Sequence, residues 1–341
     1  MYKLFYQRFI YQNQCTLFCI RRCHNEVKWK GKEKNRISNI RTYWFNRYID
    51  YIKNFDHILE KNFPETMKVY RMFRVGTTEF IREFKTYITL IHKSSKSLTT
   101  EELKLTHTMG NDLQKMCPVL LVAAVPFTNY VIFPLIYYFP RHLLTSHYWS
   151  AEQKLNFTML DQKKRLKHNR PLFRCMQTEL RTIKDKSLRI KWNDVIACLG
   201  SGTHPSVRNI IACTELFAGR PYALKNLKSK HIKELLIIHD ISTWRLFKKK
   251  KLIERGMFIK QMDDTIQREG GVTKLSVDAI RWALIFRGVN PETMSTESMQ
   301  KWLTQWLEVS NTVNENTISL LLHCPILLAY NHPSNWKLIY G

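Results

Sequence analysis

The residues best placed to do chemistry in this chain are lysines and arginines. Their chemistry is that of fixed cations, not of bond making. Lys248-Lys249-Lys250-Lys251, with Arg245 and Arg255 beside it, is the densest charge cluster. A second group, Lys163, Lys164, Arg165 and Lys167, falls within Gln162–His168. Runs of this kind neutralise phosphate, on RNA or on anionic lipid headgroups, and their binding weakens as salt rises. On a helix the Lys248–Lys251 run spreads over most of the circumference, so a merely solvated face accounts for it equally well. The formal net charge is +26 over 341 residues. Residues 141–341 alone carry 32 Lys and Arg against 17 Asp and Glu, a net +15. Such an excess favours acidic partners, although a basic bias common among organellar proteins would leave the same mark.

Covalent chemistry finds no footing. Twelve histidines are scattered, with no HExxH, P-loop, GxSxG or dinucleotide loop. Gly200-Ser-Gly-Thr-His204 lacks the GK[ST] ending and a preceding strand. The eight cysteines, Cys15, Cys19, Cys23, Cys117, Cys175, Cys198, Cys213 and Cys324, form no CxxC pair and read as thiols in a reducing compartment. The chain is therefore not read as an enzyme, and no cofactor, metal or small-molecule substrate is expected.

The elements that must position the cations begin with an uncharged run. Pro118–Pro140 holds no Asp, Glu, Lys, Arg or His. At about 1.5 Å per residue it is long enough for a hydrocarbon core of roughly 30 Å, so residues 117–140 are predicted to form one transmembrane helix. A buried hairpin of a soluble domain is the alternative. Pro126 and Pro134 interrupt the run, and Thr128 and Asn129 are its intramembrane polar pair, able to bond the carbonyl that a proline frees. An anchor uses that pair to satisfy its own backbone; a transport path would present it to a pore. Asn129 cannot titrate, which favours the anchor.

Met1–Asn25 contains Lys3, Arg8, Arg21 and Arg22 and no acid, the pattern of a mitochondrial presequence; a basic disordered tail is the alternative. Residues 26–67 are basic and poorly defined. Residues 68–116 carry amphipathic pre-membrane helices, with Met72, Phe73, Phe80, Phe84 and Tyr87 at helical spacing. Thr99 and Glu102 form a capping box for a helix reaching about Met116. After an interfacial belt with Tyr148 and Trp149, Ser150 and Gln153 cap the next helix. Further helices are predicted over Pro171–Lys186, Val207–Phe217, Leu227–His239, Trp244–Arg268, Leu275–Arg287 with Ser276 as cap, Ser295–Val309 and Thr317–Leu328, with a short helix and a loop within 187–206. Trp302 and Trp306 lie on the apolar face of Ser295–Val309 and are assigned to the core, not to base stacking. No alternating strand run is found, so the chain is predicted to be all-α: a single transmembrane helix, a helical domain over 141–331, and a tail over 332–341.

Several of these stretches resemble one family. Lys115-Met-Cys-Pro-Val-Leu-Leu-Val-Ala-Ala-Val-Pro-Phe-Thr-Asn-Tyr130, followed by Phe139-Pro140-Arg141, looks like the membrane helix of the leucine zipper–EF-hand transmembrane (Letm) family. The capped Leu98-Thr-Thr-Glu-Glu102 helix is similar too, as is the pattern Glu269-Gly-Gly-Val272, Leu275-Ser276, Arg287-Gly288, Leu303, Trp306-Leu307 and Ser319–Leu322. The segment from Pro126 to Trp149 most resembles the short Letm-domain-containing branch. The resemblance implies a single-pass protein of the mitochondrial inner membrane, with a 14-3-3-like, ribosome-binding-like domain in the matrix. It implies the mitochondrial ribosome, or assembly factors, and anionic inner-membrane lipid as partners. The family is also linked to cation–proton exchange that sets matrix volume, which would demand a homo-oligomer because one helix cannot line a pore. Two departures weigh against exchange: Asn129 stands where exchangers carry an intramembrane glutamate, and no EF-hand loop is present. Local charge gives no orientation, since Lys104 and Lys115 precede the span and Arg141 and Lys154 follow it.

Overall fold

The computed structural model describes residues 64–94, 97–123, 135–136, 138–244 and 246–340. Backbone contacts divide the chain after Arg71, and the following concerns the unit Met72–Gly341. All regular structure among the described residues is helical. Helix α1 (Pro64–Ile91) begins before that division; then come α2 (Thr100–Ala123), α3 (Pro140–Leu143), α4 (Ala151–Leu166), α5 (Asn169–Glu179) and α6 (Lys186–Gly200). They are followed by α7 (Val207–Ile211), α8 (Ser229–Ile238), α9 (Lys248–Arg268), α10 (Val277–Phe286), α11 (Thr296–Asn311), α12 (Ser319–Ala329) and α13 (Pro333–Tyr340).

Most helix starts are written in side chains that accept the first orphaned amides. Thr99 Oγ1 accepts from the Glu102 amide at 3.2 Å, and Glu102 Oε2 accepts from the Thr99 amide at 3.0 Å. Ser150 and Gln153 make the same reciprocal pair for α4. Asp185, Ser206, Ser276 and Ser295 cap α6, α7, α10 and α11.

The core is built around α12, every residue of which is buried. Helices α8, α9 and α11 pack on it. Gly256 of α9 lets α12 approach: a Cβ there would stand 2.8 Å from Ile318 Cγ1. Trp302 and Trp306 are in this core, as their spacing predicts. A smaller apolar cluster, Phe80, Met109, Met116, Leu144 and Tyr148, joins α1, α2 and the 144–149 turn.

Three predicted helices break differently. Pro171–Lys186 is not one helix: α5 ends at Glu179, and extended Ile183 and the Asp185 cap start α6 afresh. Val207–Phe217 is α7 followed by a 3₁₀ turn at Thr214–Phe217. Trp244–Arg268 loses its first turn, because Phe247 takes a left-handed φ of 57° and α9 starts only at Lys248.

Helix α2 continues through Pro118 into the apolar residues Leu120, Leu121 and Val122, which are about half exposed. Among the described residues, no helix is long and apolar enough to cross a membrane. Residues 124–134 and 137 of the predicted span, including Thr128 and Asn129, lie outside the described residues, as do residues 1–63 with the predicted presequence and Arg245.

Candidate functional site: a basic surface over a polar core

The first turn of α9 is Lys248–Lys251, with no acidic residue. Four cations there face the positive end of the helix dipole, an arrangement that costs stability and concentrates positive field at one place. Lys248, Lys249 and Lys250 are exposed and Lys251 is half-buried. Lys249 Nζ donates to the Lys225 carbonyl at 2.8 Å, and Lys251 pairs with Glu254 at 2.6 Å. Immediately before them Trp244, Leu246 and Phe247 are 95%, 80% and 77% exposed.

In the second cluster Lys164 and Lys167 are exposed and Lys163 is half-buried. Arg165 does not join them, and its assignment as a ribosome or lipid contact is corrected. Its guanidinium is buried and donates to the carbonyls of Ile238 at 2.6 Å, Ile285 at 3.1 Å and Phe286 at 3.1 Å. It thus satisfies the C-termini of α8 and α10 together. Gln162 adds bonds to the Ile285 and Val289 carbonyls.

Arg255 is corrected for the same reason. It points inward, 3.7 Å over the Phe286 ring, and Nη1 donates to His107 Nε2 at 2.8 Å. Burial, then the neighbouring Arg165, pushes its pKa down to about 9. Burial and Arg255 push His107 down to about 3, so the imidazole stays a neutral acceptor. A third arginine is wholly buried: Arg287 pairs with Asp263, whose Oδ2 accepts from Trp306 Nε1 at 3.0 Å and Ser310 Oγ at 2.7 Å. Three arginines inside one core are polar scaffolding, each held by carbonyls, an imidazole or a carboxylate.

The quoted tail pattern acquires physical meaning here. Glu269 accepts from the Thr100 amide at 2.9 Å and hydroxyl at 2.6 Å, fixing the start of α2 to the end of α9. Gly270, Gly271 and Gly288 have φ of 102°, 82° and 90°, values that favour glycine. The Gly200–His204 stretch closes α6: the Thr203 amide and hydroxyl and the Ser201 hydroxyl all bond the Cys198 carbonyl.

Sequence reasoning missed one ionisable cluster beside the predicted span. His147 Nε2 lies 3.0 Å from Glu83, and its Nδ1 lies 3.1 Å from Thr145 Oγ1 and 3.8 Å from Asp112. Asp112 Oδ2 is buried without a hydrogen-bond partner, and burial raises its pKa to about 6 against the pull of His147 and Lys115. Lys115 Nζ stands 4.7 Å from the Trp149 ring centroid, and Arg141 pairs with Asp161. Among the described residues no group of three or more His, Cys, Asp or Glu is arranged to hold a metal.

Comparison with known proteins agrees with this architecture. The protein "LETM1 domain-containing protein 1" of Xenopus tropicalis is 25% identical over 332 residues, 95% of this chain and 93% of its own length. Its namesakes in Homo sapiens and Bos taurus are 24% and 26% identical, covering 88% and 82% of this chain and 85% and 79% of their own. No solved structure matches. The family model described as "LETM1-like, RBD" matches residues 98–327, from the α2 capping box to the buried α12, and the chain belongs to that family.

Proposed function

We propose that this protein is a single-pass anchor of the mitochondrial inner membrane, whose basic helical domain in the matrix holds the mitochondrial ribosome or an assembly factor near the bilayer. One observation carries the reading most. Of the candidate cations, Lys164, Lys167 and Lys248–Lys250 remain exposed, while Arg165 and Arg255, like Arg287, are engaged by the core. Family membership and the uncharged Pro118–Pro140 run support the cellular setting. The test is cosedimentation of the full chain with mitochondrial ribosomes across a salt series. Binding should weaken steeply with salt, and Lys248, Lys249, Lys250 and Lys251→Gln should flatten the slope. Salt-insensitive binding, or none, refutes the adaptor. Protease protection of a C-terminal tag in mitoplasts tests the orientation.

A second reading, participation in cation–proton exchange, draws on a different observation. Asp112 is a carboxyl poised to titrate near pH 6, close to where α2 becomes apolar. Asp112→Asn should abolish the pH dependence of cation flux in reconstituted vesicles if that reading holds, whereas Asn129→Ala should leave flux nearly unchanged.

A further inference from the structure

We propose that the exposed Trp244, Leu246 and Phe247, a tip just before α9, form a second membrane contact, seated in the headgroup layer of an anionic bilayer with the lysines of α9 behind it. The proposal rests on the reading of α2 as running into a membrane span.

Three large apolar side chains within four residues, all more than three-quarters exposed, are not left in water by packing accident. Phe247 takes a left-handed conformation that is uncommon for an aromatic residue, ending the connection and starting α9 one residue later. The next residues are Lys248, Lys249 and Lys250, all exposed. Exposed Trp244, Leu246 and Phe247 followed by exposed lysines match a bilayer interface, where anionic headgroups overlie the acyl boundary and tryptophan is favoured. RNA would suit the lysines and offer Trp244 a base to stack on, but it gives the aliphatic Leu246 no counterpart.

The tip also points the right way. Thr100, at the start of α2, is bonded to Glu269 at the end of α9. Further along α2, His107 meets Arg255 and stacks on Phe258, earlier in α9. The two helices therefore run antiparallel, and the N-terminus of α9 lies on the side toward which α2 carries its apolar end. Lys115 and Trp149 stand where α2 turns apolar, and the lysine run lies at the end of α9 that faces that part of α2 rather than its start.

The test uses the full chain in nanodiscs of phosphatidylcholine, with and without cardiolipin, containing brominated acyl chains that quench nearby tryptophan. Trp244→Phe keeps an apolar side chain and removes the reporter. The expected result is quenching in the parent that Trp244→Phe loses, larger with cardiolipin and diminished in the Lys248–Lys251→Gln variant. Equal quenching in parent and Trp244→Phe overturns the proposal. So does a Trp244 emission change that requires added ribosomal RNA or ribosomes and ignores lipid, which would make the tip a ribosome contact. Failure of the span reading is seen separately. A chain released by alkaline carbonate does not span, yet it should still float with cardiolipin vesicles through this tip, and Trp244→Ser with Phe247→Ser should lose that flotation. Unchanged circular dichroism melts of these variants exclude misfolding as the cause.

Discussion

Asp263 is the residue whose removal should cost the domain most for its size. It is 1% exposed and its partner Arg287 is fully buried. Asp263→Leu strands the guanidinium in the core, and breaking a buried pair from one side costs about 3–5 kcal/mol. It also takes the acceptor from Trp306 Nε1 and Ser310 Oγ, each an orphaned donor worth about 1–3 kcal/mol if water does not replace it. The expected loss is therefore at least about 4 kcal/mol. For a domain of this size, each kcal/mol moves the melting temperature by roughly 2–4 °C, so the fall should be about 8–16 °C. The neighbouring Asp264 is an internal control: it carries the same charge, is about half exposed and pairs with Lys260 on the surface. Asp264→Ala should cost under about 1 kcal/mol. Adding Arg287→Met to Asp263→Leu should recover about 2 kcal/mol, because an empty pair is cheaper than a stranded charge. The assay is thermal and urea unfolding of the purified full chain, followed by circular dichroism. If Asp263→Leu melts with the parent, or the double variant loses the sum of the two singles, the pair is not the buried strut described above.

Other perturbations follow from the same geometry. Arg165→Met should lower stability by about 3 kcal/mol without changing the salt dependence of the proposed ribosome binding, since the guanidinium serves helix ends and not the surface; a flattened salt slope would return Arg165 to the proposed contact set. Gly256→Ala should cost about 1–3 kcal/mol of unfolding free energy by forcing α9 from Ile318; a neutral outcome would show that the two helices separate freely. Asp112 has its pKa raised in the fold from the usual 3.8 to about 6, so the native state holds a proton that the unfolded chain releases between those values. Stability contributed by this group is full below about pH 4 and lost as pH rises through 6. Asp112→Asn should therefore stabilise by up to ~3 kcal/mol at pH 8 and little at pH 4, read from urea midpoints at the two pH values. Buried His231 and His323, held near 2 and 4 by burial, act in the opposite sense, and their neutral pairing should make the domain lose stability as pH falls below 6.5.

Helix starts were the most legible part of the fold, because a cap is a local contract between residues three apart. Thr99 with Glu102 and Ser150 with Gln153 are both formed as their spacing implies. Trp302 and Trp306 were legible for the same reason, by period alone. The inward arginines were not seen, yet their signal was present. Gln162, Arg165 and Leu166 share one face at the end of α4 and are all buried. In α9 the buried stripe Leu252, Gly256, Ile259, Met262, Asp263 and Ile266 has Arg255 on its edge. A charge that keeps step with an apolar stripe belongs to the core, even inside a lysine run. The left-handed turn at Phe247 carries no glycine or asparagine to announce it, so the tip was absorbed into a helix. The Asp112, Glu83 and His147 cluster joins residues far apart in sequence and leaves no periodic trace.

The clamp between Glu269 and Thr100 has a mechanical consequence. Helix α2 runs unbroken from that clamp to Ala123, and it is gripped again at His107. Among the described residues no non-helical linker stands between the clamp and Ala123, although Pro118 lies within that stretch. Whatever holds the far end of α2 dictates the tilt and azimuth of the whole domain. A large partner docking on it would meet one presented face, with the rotational search already restricted before the first contact. A glycine-rich swivel inserted between residues 110 and 115 would keep every binding residue and still slow that capture.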